Sequence, residues 1–295
     1  MNEVSRVGGK LGFAAIAGAI AVGILAQFLY QPAIQPTADA PRAVGLNEAC
    51  ATGSRRGHID LGDELRTSSG LRIWVRTPHN YNATTAYPLL VIFAPAGFDR
   101  HRSESFYNLT TEATRRGNIV AYSDHVSLSR RALELQSAVA STIEQGYCVD
   151  QRAIAYLGHS DGGSMAEGIP IFATKQLPVR AVVATAAGIA EDDLQGAKCP
   201  GIPAVLIIHN PADELFPDFG SGTAAWWANC ARCTPIPDHS LVSGCRSFKG
   251  CAAGKSVTYC SSATPHRTFP KMVPQMLNFI ENEELNVVAR KHSAH

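Results

Sequence analysis

The chain has 295 residues, of which 17% are charged, and its formal net charge at pH 7 is +1. The charged share lies below the ~25% that is typical of soluble proteins, and no run of basic residues stands out. These figures argue against nucleic acid as a partner, because a nucleic-acid-binding domain carries a basic patch or stripe. The length suits a single α/β domain of about 250 residues as well as two smaller domains.

The N-terminus has the pattern of an export segment. Leu11–Tyr30 contains no charged residue, and its 20 residues would span about 30 Å as a helix, which is the thickness of the apolar core of a bilayer. Arg6 and Lys10 precede this run, so the N-terminus is predicted to stay in the cytoplasm while the rest crosses the membrane. We predict an uncleaved signal anchor, with a cleaved signal peptide as the alternative.

This interpretation divides the chain into five parts. A cytoplasmic N-region covers residues 1–10, the anchor or signal peptide residues 11–30, and a linker rich in Pro and Ala residues 31–45. One domain is predicted over residues 46–285 and a tail over residues 286–295. The domain is expected on the periplasmic or extracellular face, and the N-terminal helix makes the membrane a partner.

The cysteines agree with export. All eight lie beyond residue 45, and an even number in an exported domain indicates disulfides, whose pairing the sequence leaves open. Five of them fall between Cys230 and Cys260, which predicts a disulfide-stapled segment of little regular structure. A zinc site at Cys230 and Cys233 is the alternative, but no second C-x-x-C or H-x₃-H pair stands at zinc-finger spacing. We expect neither a metal nor an organic cofactor.

Strand and helix patterns alternate through the middle of the chain, which predicts a mostly parallel sheet covered by helices. A hairpin begun near Asp63 precedes the alternating part. The predicted strands are Leu71–Thr77, Pro88–Ala94, Asn118–Ser123, Ala153–Leu157, Ala181–Ala187 and Ala204–His209, and the predicted helices include Arg130–Gln145 and Lys271–Glu284.

The fourth of these strands, Ala153–Leu157, runs directly into Gly158-His159-Ser160-Asp161-Gly162. This is the G-x-S-x-G pattern, in which a strained turn between a strand and a helix exposes a serine at the edge of the sheet. Bulky residues at either glycine would clash as the chain reverses. The pattern predicts that Ser160 is a nucleophile standing at the N-terminus of a helix, where developing negative charge is favoured.

An activated serine needs a base, and the base needs a carboxylate that orients it. Asp213 follows the strand Ala204–His209, at the sheet edge where active-site groups gather, and is predicted to be the acid; Glu214 is the alternative. His266, 53 residues further on, is predicted to be the base, with His239 as the alternative. We expect His159 and His209 to be structural.

The oxyanion hole is predicted to use two backbone N–H groups. One belongs to Asp161, the residue after the nucleophile. The other lies in the loop Ala94–Gly97 after an earlier strand. Because Pro95 has no N–H, Ala96 is the candidate and Gly97 the reserve. The Asp161 carboxylate would repel an oxyanion, so its side chain is expected to point away or to be hydrogen-bonded.

Several of these segments together resemble the extracellular esterases grouped with feruloyl esterases and polyhydroxybutyrate depolymerases. The resemblance covers roughly Asp60–Ile280. It lies in P-L-L-V-I-F-A-P-A-G, G-Y-C-V-D-Q-R-A-I-A-Y-L-G-H-S-D-G-G, H-N-P-A-D-E-L-F-P and the cysteine block from W-W-A-N-C to V-T-Y-C. The chain departs from the family at Ala94-Pro95, where the family has His-Gly, and around His266, where its tryptophan is missing.

The resemblance implies an α/β-hydrolase fold with a disulfide-stapled segment before the catalytic histidine. It implies a serine carboxylesterase acting on feruloyl or acetyl esters of polysaccharide, and its substrate would be a small or polymeric ester. A polyhydroxyalkanoate depolymerase or oligomer hydrolase is the close alternative. A catalytically inactive, membrane-tethered binding protein of the same fold is the alternative outside the enzymes.

Overall fold

The computed structural model describes Cys50 and residues 62–201, 203–234, 237–239, 244–252 and 255–292. The predicted N-region, anchor and linker lie outside these residues. No helix within the described ranges is both long enough and apolar enough to span a bilayer.

Ten strands form one sheet. They are β1 (Asp63–Arg66), β2 (Arg72–Arg76), β3 (Tyr87–Phe93), β4 (Ile119–Ser123), β5 (Val149–His159), β6 (Ala181–Thr185), β7 (Ala204–His209), β8 (Pro237–His239), β9 (Cys245–Phe248) and β10 (Val257–Ser261). Their order is β1-β2-β4-β3-β5-β6-β7-β10-β9-β8. The six strands from β4 to β10 in this order are parallel, whereas the two strands at each end pair antiparallel. The predicted hairpin and mostly parallel sheet are therefore present.

Helices cover both faces of the sheet. They are α1 (Arg100–Tyr107), α2 (Thr110–Arg115), α3 (Arg130–Glu144), α4 (Asp161–Phe172), α5 (Phe219–Cys230) and α6 (Val273–His292), with one turn of 3₁₀ helix at Glu191–Leu194. One apolar core lies between the sheet and α3, α4 and α5, and a second lies between the opposite face and α1, α2 and α6. Alternate residues of β3 supply the two cores, as the two-residue period of a strand requires.

Two predicted boundaries change in the structure. The closing helix α6 continues to His292 and so takes in most of the predicted tail. The segment between Cys230 and Cys260, expected to contain little regular structure, contributes β8, β9 and β10 to the sheet. Pairing outward from β7 explains the second difference: β10 pairs with β7, β9 with β10 and β8 with β9. The edge of an existing sheet thus supplies partners for short strands whose own sequence signal is weak.

Four disulfides join all eight cysteines: Cys50–Cys148, Cys199–Cys230, Cys233–Cys251 and Cys245–Cys260. Cys230 and Cys233 belong to two different disulfides, so their sulfur atoms are not available for the zinc site considered above. Four disulfides are typical of proteins that fold in an oxidising compartment outside the cytoplasm.

Candidate active site

Ser160 occupies a strained turn between β5 and α4. Its backbone has φ 56° and ψ −124°, a conformation that a residue with a side chain adopts only where the surrounding structure enforces it. The backbone N–H of Ser160 donates to the carbonyl of Thr185 at 2.9 Å, which fixes the turn to the end of β6. The serine thus stands at the carboxyl edge of the parallel strands.

The two glycines of the turn are required by close approach. A Cβ atom at Gly158 would collide with the carbonyl of Gly162, and one at Gly162 would collide with the carbonyl of Phe93 at the end of β3. Backbone therefore packs on backbone at both positions, and the first turn of α4 lies directly against the sheet.

Ser160, His266 and Asp213 form a continuous hydrogen-bonded chain. Ser160 Oγ lies 2.8 Å from His266 Nε2, and His266 Nδ1 lies 2.9 Å from Asp213 Oδ2 and 3.0 Å from Oδ1. All three side chains are buried. Because the Asp213 carboxylate can only accept, Nδ1 donates to it, and Nε2 is the ring nitrogen that faces the serine hydroxyl, which is the arrangement a general base needs.

Asp213 is held by the loop that follows β7. Its Oδ1 accepts hydrogen bonds from the backbone N–H groups of Leu215 at 2.9 Å and Phe216 at 3.0 Å. Burial alone would raise the pKa of Asp213, but these two bonds and the one from His266 outweigh burial, so the pKa lies below its ordinary value. The carboxylate is therefore charged at neutral pH and oriented toward the imidazole.

The two alternatives named for these roles occupy other positions. Glu214 Oε2 accepts from the backbone N–H of His266 at 3.3 Å, so this carboxylate supports the histidine loop and does not contact the ring. His239 lies on β8, the last strand at one end of the sheet. Glu214 thus lies outside the hydrogen-bonded chain of Ser160, His266 and Asp213, and β8, which carries His239, lies at the end of the sheet.

His159 joins the serine turn to the histidine loop. Its Nε2 lies 2.6 Å from the carbonyl oxygen of His266 and its Nδ1 lies 2.7 Å from the hydroxyl of Thr185. Burial lowers the pKa of His159 to about 4, so the ring is neutral. The carbonyl only accepts, so Nε2 carries the proton and Nδ1 accepts from Thr185. His159 thus links the end of β6 to the loop that carries His266, and its structural role stays a prediction.

His209 forms a comparable link on the Asp213 side of the site. It is buried at the end of β7, and its Nε2 donates to the carbonyl of Phe216 at 2.8 Å. Burial lowers its pKa. The bond holds the loop that carries Asp213 against the strand from which that loop departs.

The predicted oxyanion residues flank the serine. Ala96 lies in a turn closed by a 3.1 Å hydrogen bond from the N–H of Phe98 to the carbonyl of Pro95, and Gly97 occupies the turn position with φ 75°. Such a type II turn favours glycine there. No backbone hydrogen bond among the described residues takes up the Ala96 N–H. Asp161 begins α4, so its N–H has no partner within the helix.

His125 is a site residue that the sequence analysis missed. Its Nε2 lies 2.9 Å from Asp161 Oδ2, and its backbone N–H donates to the carbonyl of Phe98 at 3.0 Å. His125 therefore contacts Asp161 itself and Phe98, the residue that closes the turn of Ala96. The available signal was its place just after β4, at the carboxyl edge of a parallel strand, where functional groups gather.

A cleft of about 340 Å³ opens above Ser160. Its walls combine aromatic and aliphatic side chains with two arginines and the two residues of the serine–histidine pair: Pro95, Ala96, Phe98, Arg102, Phe106, His159, Ser160, Leu215, His266 and Arg267. The volume is at the small end of the range for ligand pockets.

No family model matches this sequence, and no curated protein sequence matches it. Solved structures do. The acetyl xylan esterase from Aspergillus awamori is 13% identical with a TM-score of 0.57, and the match covers 78% of this chain and 99% of that one. The chain has an α/β-hydrolase fold.

Esterase 2 of the planctomycete Thermogutta terrifontis shares this α/β-hydrolase fold at 13% identity and a TM-score of 0.52, with 79% of this chain and 93% of that one covered. The same esterase phosphonylated by cyclosarin matches at 12% identity and a TM-score of 0.53, covering 79% and 95%. At such identities the likeness concerns the fold, which agrees with the strand order and the parallel centre of the sheet.

Proposed function

We propose that this α/β-hydrolase is a serine carboxylesterase, with Ser160 as nucleophile, His266 as base and Asp213 as the orienting acid. The observation that carries the proposal is the 2.8 Å contact between Ser160 Oγ and His266 Nε2 at the floor of an open cleft. A serine in a strained turn, hydrogen-bonded to an imidazole that a buried carboxylate orients, is the arrangement by which hydroxyl nucleophiles are activated.

The reaction begins when Ser160 Oγ attacks the ester carbonyl and its proton passes to His266 Nε2. Asp213 stabilises the imidazolium that forms. The tetrahedral intermediate expels the alcohol, which takes the proton from His266, and leaves an acyl group on Ser160. Water, deprotonated by His266, then releases the acid and restores the serine.

The developing oxyanion would be held by the N–H groups of Ala96 and Asp161. The Asp161 carboxylate would repel the oxyanion if it faced the site. Its hydrogen bond with the His125 ring holds this carboxylate beside His125 instead. The helix N-terminus at α4 adds a favourable field. Each step is thereby assigned to a group of this chain.

The cleft favours a short acyl group or a compact alcohol over a long chain. Its volume of about 340 Å³ and its walls of Phe98, Phe106 and Leu215 suit an acetyl or feruloyl ester. The acetyl xylan esterase with the same fold supports acetyl esters of polysaccharide as first candidates. Hydroxyalkanoate oligomers are the second candidate, supported by the sequence resemblance stated above.

We also propose that the enzyme acts outside the cytoplasm. Four disulfides support an oxidising location, and the uncharged run at residues 11–30 supports a membrane anchor at the N-terminus. Fractionation of cells that express the full chain, followed by alkaline extraction of the membranes, tests the anchor: an anchored chain stays with the lipid, and a cleaved or soluble one is released.

The test of activity uses the full chain, folded with its disulfides. Hydrolysis of p-nitrophenyl acetate, butyrate and octanoate, methyl ferulate and hydroxybutyrate oligomers is compared with that of the Ser160→Ala variant. We expect turnover of the short esters that the variant loses, and a fluorophosphonate that labels the unaltered chain alone. Organophosphonate labelling is expected by analogy with the Thermogutta terrifontis esterase.

Absence of both turnover and labelling would overturn the proposal and favour the inactive binding protein. Labelling without turnover of any ester in the panel would keep Ser160 as a nucleophile but contradict the proposed substrates. Turnover that survives in Ser160→Ala would contradict the mechanism.

A further inference from the structure

Two arginines border the cleft above Ser160. Arg102 comes from α1, which follows the Ala96 loop, and Arg267 comes directly after His266. Both are exposed residues, and both line the cleft together with Ser160. They reach the same space from two separate elements of the fold.

Neither guanidinium has an anionic partner among the residues that the structure describes. Within the described part of the chain, no carboxylate oxygen lies within ion-pair distance of Arg102 or Arg267. Other arginines of the fold differ: Arg100 pairs with Glu64 at 2.7 Å and Asp124 at 3.0 Å, and Arg116 pairs with Glu112 at 2.7 Å. The cleft therefore holds two uncompensated positive charges.

Arg102 is oriented by an aromatic ring. Its guanidinium carbon lies 3.8 Å from the ring centroid of Phe98, which itself lines the cleft. Such a cation–π contact orders the side chain while leaving its N–H donors available. The N-cap residue Asp99 accepts from the backbone N–H of Arg102 at 2.8 Å, so its carboxylate is engaged with the helix end.

The carboxylates around the cleft are occupied in the same way. Asp213 accepts from His266 and two backbone N–H groups, Asp161 contacts His125, and Glu214 accepts from the His266 N–H. The chain as a whole carries a net charge of only +1. The positive charge above Ser160 is thus a local property of the cleft.

We propose that the cleft selects esters that bear a carboxylate near the ester bond, with Arg102 and Arg267 binding that carboxylate. The inference rests on the proposed esterase function and narrows its substrate class. Guanidinium groups match carboxylates geometrically through paired N–H donors. The apolar walls would contact the short carbon skeleton while the two arginines take the charged end.

The experiment compares esters matched in shape and different in charge, hydrolysed by the full chain. Monomethyl succinate against methyl succinamate places the charge on the acyl side, and 3-acetoxypropionate against 3-acetoxypropionamide places it on the alcohol side. For at least one pair we expect kcat/KM for the carboxylate to exceed that for the amide by about ten-fold at low salt, since each exposed ion pair contributes a factor of up to about five.

Arg102→Gln and Arg267→Gln should each reduce this ratio by about three-fold, and the double variant should bring it close to one. Raising the ionic strength from about 0.01 M to about 1 M should reduce the ratio in the unaltered chain, because the screening length falls from about 30 Å to about 3 Å. Arg115→Gln is the control. Arg115 ends α2 at the amino edge of β4, away from the cleft, and should leave the ratio unchanged.

Equal kcat/KM for both members of each pair, or a preference that the double variant keeps, would overturn the inference while the esterase function stands. If no ester is turned over, the proposed function fails, and calorimetric titration of the Ser160→Ala chain decides the inference separately. Monomethyl succinate or 3-acetoxypropionate must then bind more tightly than its amide, and the added double substitution must remove the difference.

Discussion

The nucleophile and the base reach the same cleft from regions of very different construction. Ser160 lies at the centre of the sheet, where β5 is flanked by β3 and β6 and backbone packs on backbone at Gly158 and Gly162. His266 follows β10, which lies beyond β7 and is joined to β9 by a disulfide. The serine turn is enforced by steric fit within the core, whereas the histidine loop depends on hydrogen bonds and a covalent link.

The comparison teaches where each part is vulnerable. A change at the serine turn should act through packing and cost stability. A change at the histidine loop should act through orientation and cost activity first, because hydrogen bonds hold His266: Asp213 bonds to the ring, and Glu214 and His159 bond to the backbone N–H and carbonyl.

The largest expected effect is on the histidine side. Asp213→Asn should reduce kcat by about 10⁴-fold, because an amide in place of the carboxylate favours the wrong imidazole tautomer. Glu214→Gln is the matched control and should lower kcat by less than about ten-fold, since only one hydrogen bond to the backbone is altered. Steady-state kinetics on p-nitrophenyl acetate measures both. Equal losses would assign the acid role to the wrong carboxylate.

On the serine side, Gly162→Ala should destabilise the fold by about 3 kcal/mol or more, because the added methyl collides with the Phe93 carbonyl, which the sheet holds in place. This predicted loss of stability is opposite in sign to the effect of helix propensity, which favours alanine over glycine by about 1 kcal/mol. Gly201→Ala, where a Cβ atom would meet nothing within 4 Å, should change stability by less than about 0.5 kcal/mol. Urea unfolding followed by circular dichroism gives both values.

Removing Cys245–Cys260 should separate stability from activity. The double alanine variant loses a disulfide that closes 15 residues and contributes about 3 kcal/mol to the free energy of unfolding. It should also lower kcat, because the covalent restraint of β9 on β10 before the histidine loop is lost. Cys199–Cys230 closes 31 residues, and Cys199 precedes the amino end of β7, on the side away from the active site. Its removal should lower the free energy of unfolding by about 4 kcal/mol and leave kcat of the folded protein unchanged. If both pairs affect kcat equally, the histidine loop does not depend on its own disulfide.

The smallest expected effect concerns His159, which joins the serine turn to the histidine loop. The pKa of His159 is lowered to about 4, whereas an unfolded chain has its histidines near 6.5. Below pH 6.5 the unfolded state gains a proton that the folded state lacks. The contribution of His159 to the free energy of unfolding is therefore complete above pH 6.5 and is lost as the pH falls toward 4. Between pH 7.5 and 4.5 the unaltered protein should lose about 2 to 3 kcal/mol more of its free energy of unfolding than His159→Gln does. Parallel pH slopes in the two proteins would contradict a buried neutral imidazole.

Much of the fold could be predicted because its signals are local. The buried parallel strands read as continuous apolar runs, and the Gly158–Gly162 pattern carries its own geometric requirement. Asp213 and His266 could be named because the carboxyl edges of parallel strands collect functional groups in chain order, and their roles remain a proposal for the experiments above.

What could not be predicted depends on distant pairing. β10 is short and pairs with β7, whose paired residues lie 52 positions earlier in the chain, and β9 pairs in turn with β10. No local period marks either strand. The contact of His125 with Asp161 joins residues 36 positions apart. Arg102 and Arg267 meet at one cleft only through the assembled sheet, so neither looked different from any other exposed arginine.

The connectivity of the last four cysteines has a consequence for how the protein matures. Cys233 pairs with Cys251 across Cys245, which itself pairs with Cys260, so the two links cross along the chain. A polypeptide whose segments enter an oxidising space in chain order offers Cys245 to Cys233 before Cys251 has arrived. The disulfide formed first is then Cys233–Cys245, which is not native. A thiolate must attack it before the two native disulfides can form. Efficient production of this protein should therefore depend on a disulfide isomerase, and a host that only oxidises thiols should accumulate the isomer with neighbouring cysteines joined.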